Sequence, residues 1–180
     1  MVIQAADIEK LRKEAIDYQE TEQLKADLQR LRKEREPFYL TGRDLDPIFE
    51  WKLRGQFSRN KKRRDENSDR IYEIITRAAF SIREDDWKLE AELRVAVLTV
   101  LHGVGVPVAS AILALADPDR YCVVDFRGWR AVFGEERSGF DIPSYIRYLS
   151  KIRQLAQELG WSVQETDLAV WEYDRRQDLM

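Results

Sequence analysis

The chain has 180 residues, of which 44% are apolar and 35% charged, and its formal net charge is −3. That suits one domain with an accessory element at one end; a charged share above the usual quarter or so reads as solvated helical faces rather than disorder. One Cys and one His exclude a disulfide framework, an all-Cys metal or iron–sulfur site within the chain and the common multi-His zinc sites.

Eight Gly and five Pro are too few for a loop-rich β-sandwich. No apolar run approaches a membrane span, and residues 1–8 lack the basic start of a signal peptide. The expectation is a soluble, cytoplasmic, all-α protein with no membrane contact and no metal or other cofactor. Charge is unevenly placed: residues 1–50 sum to −3, 51–70 to +5 and 71–180 to −5. The basic run is Lys52, Arg54, Arg59, Lys61, Lys62, Arg63, Arg64 and Arg70. Such a run either attracts phosphate or is a solvated loop.

Residues 5–36 read as one long helix, without Gly or Pro and rich in Glu, Lys, Arg, Ala and Leu. Its narrow stripe runs Ile8, Leu11, Ala15, Tyr18, slips register, and resumes at Leu24, Leu28, Leu31. Segment 1–36 is therefore a coiled-coil partner, and so a route to a homodimer, or a brace on the domain at 37–180. Glu36-Pro37 ends it. A short helix over 44–55 follows, with Asp44 as cap and Gly55 as stop, and then a polar loop from Gln56 to Asn67. A helix from Ser68 carries Ile71, Ile74, Ile75 and Ala78 as its apolar face. Another starts at Asp85 or Asp86, and a third after Gly105. The last two span Pro143–Leu159 and Val163–Arg176, the final one opening on the capping box Ser162-x-x-Glu165. Tyr121–Val124 is a short apolar run with no strand to pair with.

The densest signal is Leu101-His102-Gly103-Val104-Gly105-Val106-Pro107-Val108-Ala109-Ser110-Ala111. Two glycines one residue apart permit a tight turn between apolar helices. Pro107 suits a helix's first turn. The free amides at the start of the second helix make a seat for an anion. Twenty residues after Gly105 comes Val124-Asp125-Phe126-Arg127.

Together these segments resemble the helix-hairpin-helix DNA glycosylase superfamily, over about residues 85–134. The chain is also similar, through Trp51-Lys52-Leu53-Arg54, Pro107–Ala111, Pro118–Tyr121, Val124–Arg127 and Trp171–Tyr173, to a family of small bacterial proteins, a match that implies no particular activity. The superfamily resemblance implies that Asp125 is the catalytic carboxylate of base excision and that Gly103, Val104, Gly105 and Val106 hold a DNA phosphate. It also implies a base pocket, for which Trp51, Trp87, Trp129, Trp171 and Tyr173 are candidate walls. Where strand-cutting branches carry a Lys in the hairpin this chain has Pro107, so no Schiff-base lyase step through that position is expected; His102 replaces a common Pro.

Each of these residues also has a plainer reading. Asp125 is an N-cap; Gly103 and Gly105 form a turn without a ligand; His102 is a turn residue; Ser110 packs between helices; Cys122 is an inert core thiol. Lys52 and Arg54 either reach DNA or pair with Asp44, Asp46 or Glu50. Arg127 either contacts phosphate or holds Asp125. Three functions fit: a monofunctional DNA N-glycosylase, a non-catalytic DNA-binding module, and a helical interaction domain dimerising through 5–36.

Overall fold

A computed structural model describes residues 3–179; Met1, Val2 and Met180, and with them the start of the N-terminal segment, lie outside the described residues. Among the described residues the regular secondary structure is all helical, without a strand. The segment expected as one helix is broken. Helix α1 is Ala5–Ile8, a 3-10 turn covers Glu9–Leu11, and α2 begins only at Tyr18 and runs to Glu34. The register slip marks the break, because the two halves bury their stripes on different surfaces. Ile8, Leu11 and Ala15 are buried, and Leu28 is buried further along, all but Ala15 within the same hydrophobic core as the rest of the chain. Arg12 donates to Glu165 at 3.0 Å and Arg176 pairs with Glu14 at 2.9 Å, tying the first half to the last helix. The stripe is thus laid on its own domain as a brace.

Helix α3 (Gly42–Leu53) is capped by Thr41; Asp44, expected as the cap, is the third helical residue and completes a capping box. The expected loop after it is a 3-10 stretch, Arg54–Asn60, followed by the short α4 (Lys61–Arg64). Ser68 and Asp86 cap α5 (Asp69–Ser81) and α6 (Trp87–Leu98) as their sequence positions suggest. The face of α5 is a correction: Ile71 and Ile74 are exposed, and Tyr72, Thr76, Ala79 and Phe80 are buried instead. The Thr76 hydroxyl accepts from the Leu40 amide at 2.8 Å and also lies 3.2 Å from the Leu40 carbonyl, so it serves a buried backbone that no isoleucine could.

Helix α6 runs through Leu101–Gly105 into α7 (Val106–Ala116), whose residues from Val108 onward are all buried. Gly103 turns at φ +76. The chain then passes through the extended Tyr121–Val124 to α8 (Phe126–Phe133), α9 (Ile142–Leu159) and α10 (Val163–Gln177), capped by Asp125, Asp141 and Ser162. Arg127 and Arg130 on α8 meet Asp174 and Asp178 on or just past α10, at 2.6 to 3.2 Å, and fix α8 against it. No helix among the described residues is long and apolar enough to cross a membrane.

Candidate nucleic-acid interface

Tyr121–Val124 is buried and extended, and with no strand beside it every backbone group needs another partner. The Tyr121 amide donates to the Asp117 carbonyl at 3.2 Å, and side chains from four helices serve further groups. The Val123 amide donates to Asp167 at 2.9 Å and the Val124 amide to the Ser110 hydroxyl at 3.1 Å. The Cys122 carbonyl accepts from Tyr145 at 3.3 Å, and the Val124 carbonyl from Lys52 at 3.3 Å. Ser110 itself donates to the Pro107 carbonyl at 2.7 Å. It is more than a packing residue, because it links the hairpin's second helix to the strand-like segment that carries the acid.

Asp125 therefore emerges at a fixed place. Its Oδ1 caps α8 by accepting from the Gly128 amide at 2.9 Å; its Oδ2 lies 3.6 Å from the Lys52 ammonium. One side chain, 22% exposed, thus both caps the helix and places its second oxygen beside Lys52. Gly128 is required at this point, since a Cβ there would stand 2.1 Å from the Tyr148 hydroxyl.

Asp125 and the hairpin glycines line one open groove of about 850 Å³, together with Lys52, Arg54, Asn60, Pro107, Arg127, Arg137 and Trp171. Gly105 is exposed at its rim as the N-cap of α7, which has no side-chain cap. Val104 is outside the groove: its side chain is in the core and its amide donates to the Leu101 carbonyl at 3.1 Å. Val106 is half-buried and packs on the core. The basic segment docks directly on the turn. Asn67 accepts from the His102 amide at 3.0 Å and donates to its carbonyl at 2.9 Å, and the His102 ring meets Glu66 at 2.7 Å. A Cβ on Gly103 would come within 2.7 Å of the Arg64 side chain.

The charges differ from what proximity in sequence suggested. Lys52 pairs with Asp125, and Arg54 with Asp17 and Glu20 at 3.1 and 2.8 Å, rather than with Asp44, Asp46 or Glu50. Arg127 holds Asp174 and Asp178, not Asp125. Within the basic run, Arg64 is buried against Phe49 and Phe57, while Lys61 and Arg70 pair with Asp65 and Glu73. Arg59, Lys62 and Arg63 remain exposed with no ion pair among the described residues. Arg54 also turns the backbone at φ +48, a conformation that costs a residue with a side chain about 1–3 kcal/mol.

Of the candidate pocket walls, Trp171 lines the groove and, with Trp51, a smaller pit beside it. Trp129 is buried in the core, Trp87 lies in a separate surface hollow with Trp161, and Tyr173 packs on the core. Cys122 is fully buried and burial pushes its thiol well up, as suits an inert position. Beneath the groove, a smaller pit of about 90 Å³ shares Lys52, Arg54, Asp125 and Trp171 with it and adds Asp17, Trp51, Gln164 and Asp167. No local motif marks Asp17, Gln164 or Asp167; only the unpaired backbone of Tyr121–Val124 signalled that some buried acceptor was needed there.

Burial raises the Asp167 carboxyl from its ordinary 3.8 to about 7; the Tyr148 hydroxyl and Val123 amide oppose this, Asp125 adds to it and Lys52 opposes it. A folded value above the unfolded one means the folded state binds the proton more tightly. The stabilisation this gives is fully present below about pH 4 and is lost as pH rises through about 7. Relative to Asp167→Asn, the wild type is expected to lose a few kcal/mol over that interval. Denaturant titrations across it check this; parallel pH profiles for the two proteins would contradict it.

Against protein-family models, curated proteins and solved structures, the chain shows no match.

Proposed function

We propose that the protein binds DNA along this groove and that it is a helix-hairpin-helix protein of the DNA glycosylase type, hydrolysing a base–sugar bond with Asp125. The observation that carries the reading is the shared groove: the Gly103–Gly105 turn, the uncapped start of α7 and the Asp125 carboxylate face one space. A phosphate seated at the turn is met by backbone amides and the positive end of the α7 dipole. The strand then lies beside Arg59, Lys62 and Arg63, whose segment Asn67 fastens to the turn.

In the excision step the C1′–N bond breaks with its electron pair leaving on the base. Water bonds to C1′ and gives up a proton to the Asp125 carboxylate, which passes it on so that it ends on the departing base nitrogen. Positive charge grows on the sugar in between, and a half-buried carboxylate stabilises it most at that moment. Lys52, 3.6 Å from its Oδ2, holds the Asp125 carboxylate at the groove.

The test is binding of duplex and single-stranded DNA as a function of salt. Three unpaired cations at the turn give an expected log–log slope of magnitude about 3, not the 8 of the whole basic run. Lys62→Ala and Arg63→Ala each reduce it by about 1. Binding that is flat with salt, or absent, overturns the reading in favour of a helical interaction domain.

A further inference from the structure

Five of the eight large apolar side chains exposed among the described residues belong to one helix pair. Ile71 and Ile74 stand on α5, Leu89 and Leu93 on α6, and Val100 just past its end. Each helix already buries a separate stripe in the core: Tyr72, Thr76 and Ala79 on α5, and Ala91, Val95 and Leu98 on α6. The outer stripes are surplus to the fold. The connection between the helices, residues 82–86, is short, and the two pack side by side as an antiparallel hairpin. Each is about 18–20 Å long and about 10 Å wide, so the pair presents a face of about 20 by 20 Å. A single exposed Ile or Leu is ordinary, but a strip running the length of two neighbouring helices marks an interaction surface. The rim is charged in both signs: Arg70, Glu73 and Arg77 follow one edge of α5, and Lys88 and Glu92 one edge of α6. Arg70 and Glu73 pair with each other at 3.7 Å. Arg77, over the Tyr39 ring at 5.0 Å, and Glu92, which is exposed, have no ion pair among the described residues.

We propose that this face joins two copies of the chain in a four-helix bundle, about a two-fold axis parallel to α5 and α6. That axis lays α5 of each copy across α6 of the other, antiparallel, so the apolar strips meet along the middle. The short connection puts Ser81 and Trp87 at one level, and four residues further along each helix stand Arg77 and Ala91. Glu92, next to Ala91, is therefore at the height of Arg77. The bundle brings Glu92 of each copy against Arg77 of the other, twice over. The face thus carries both halves of its own charge match, which selects a second copy over an unrelated protein. An interface of this extent buries roughly 600–800 Å² per partner, the lower range for a stable dimer. The stripe of residues 5–36, the other route to a dimer, is buried on its own domain.

Sedimentation equilibrium of the full chain, without nucleic acid, tests this independently of the DNA reading. Between about 1 and 300 μM the wild type is expected to pass from monomer to dimer, with a Kd in the micromolar range. Ile74→Glu and Leu93→Glu should each weaken the dimer at least about a hundredfold, because a carboxylate would be buried against the partner's apolar strip. Both positions are exposed in the single chain, so each variant should melt at the wild-type temperature where the chain is monomeric. Glu92→Arg should weaken association about tenfold, and adding Arg77→Glu in the same chain should restore it to within about threefold of wild type. A monomer at every concentration overturns the proposal and leaves the face to a different protein. A dimer that Ile74→Glu and Leu93→Glu leave intact lies on another surface and overturns it as well. If both variants break the dimer but the charge exchange fails to restore it, the copies pack in another orientation and the proposed bundle is wrong.

Discussion

Replacing Gly128 with Ala is expected to cost about 3 kcal/mol or more, a fall of about 10 °C in melting temperature for a chain of this size. The added Cβ would stand 2.1 Å from the Tyr148 hydroxyl and 2.9 Å from its ring carbon. Tyr148 has no room to retreat, because it is fully buried and its hydroxyl donates to Asp167 at 2.5 Å. Gly128 also supplies the amide that Asp125 caps, so relief by shifting α8 would move the acid itself. Tyr148→Phe in the same chain should recover part of the loss, since the closest atom is gone. A coupling above about 1 kcal/mol in a double-mutant cycle of thermal or denaturant unfolding checks the contact, and strict additivity would show that α8 does not sit on Tyr148.

The second large effect is on chemistry. Asp125→Asn is expected to reduce base release from DNA by at least about a hundredfold, the usual consequence of removing a group that meets transition-state charge. Stability should hold within about 0.5 kcal/mol, because Asn caps a helix as well as Asp does and the Gly128 amide keeps an acceptor. DNA affinity should stay level or rise, since one negative charge leaves the groove. Single-turnover base release and equilibrium binding on the same protein separate the roles. Unchanged release rates rule out excision by Asp125. Loss of release and binding together makes it a binding residue.

What the sequence made legible were features governed by near neighbours. Ser68, Asp86 and Ser162 cap helices where their positions suggested, because a cap depends on amides two or three residues on. Gly103 takes a left-handed turn for the same local reason. The break before Tyr18 was visible only as a slipped stripe; which surfaces the two halves cover depends on α7 and α10, far along the chain. On α5, two apolar stripes competed, and the one containing Thr76 won because the Leu40 backbone, 36 positions away, needed it. The ion pairs that absorb Lys52, Arg54 and Arg127 join residues 34 to 73 positions apart in sequence, beyond any local pattern. For the same reason the pit was invisible: Asp17, Trp51, Gln164 and Asp167 share no spacing in sequence and meet only in the folded chain.

The most direct test of the groove as a DNA surface is an amide chemical-shift titration of the full chain with a short duplex at low salt. The account expects the largest, salt-reversible shifts at Gly103, Gly105 and Val106, with further shifts at Arg59 to Arg63 and around Asp125. Shifts confined to the exposed Ile71, Ile74 and Leu93 face of α5 and α6, or none at the glycine turn, would contradict it.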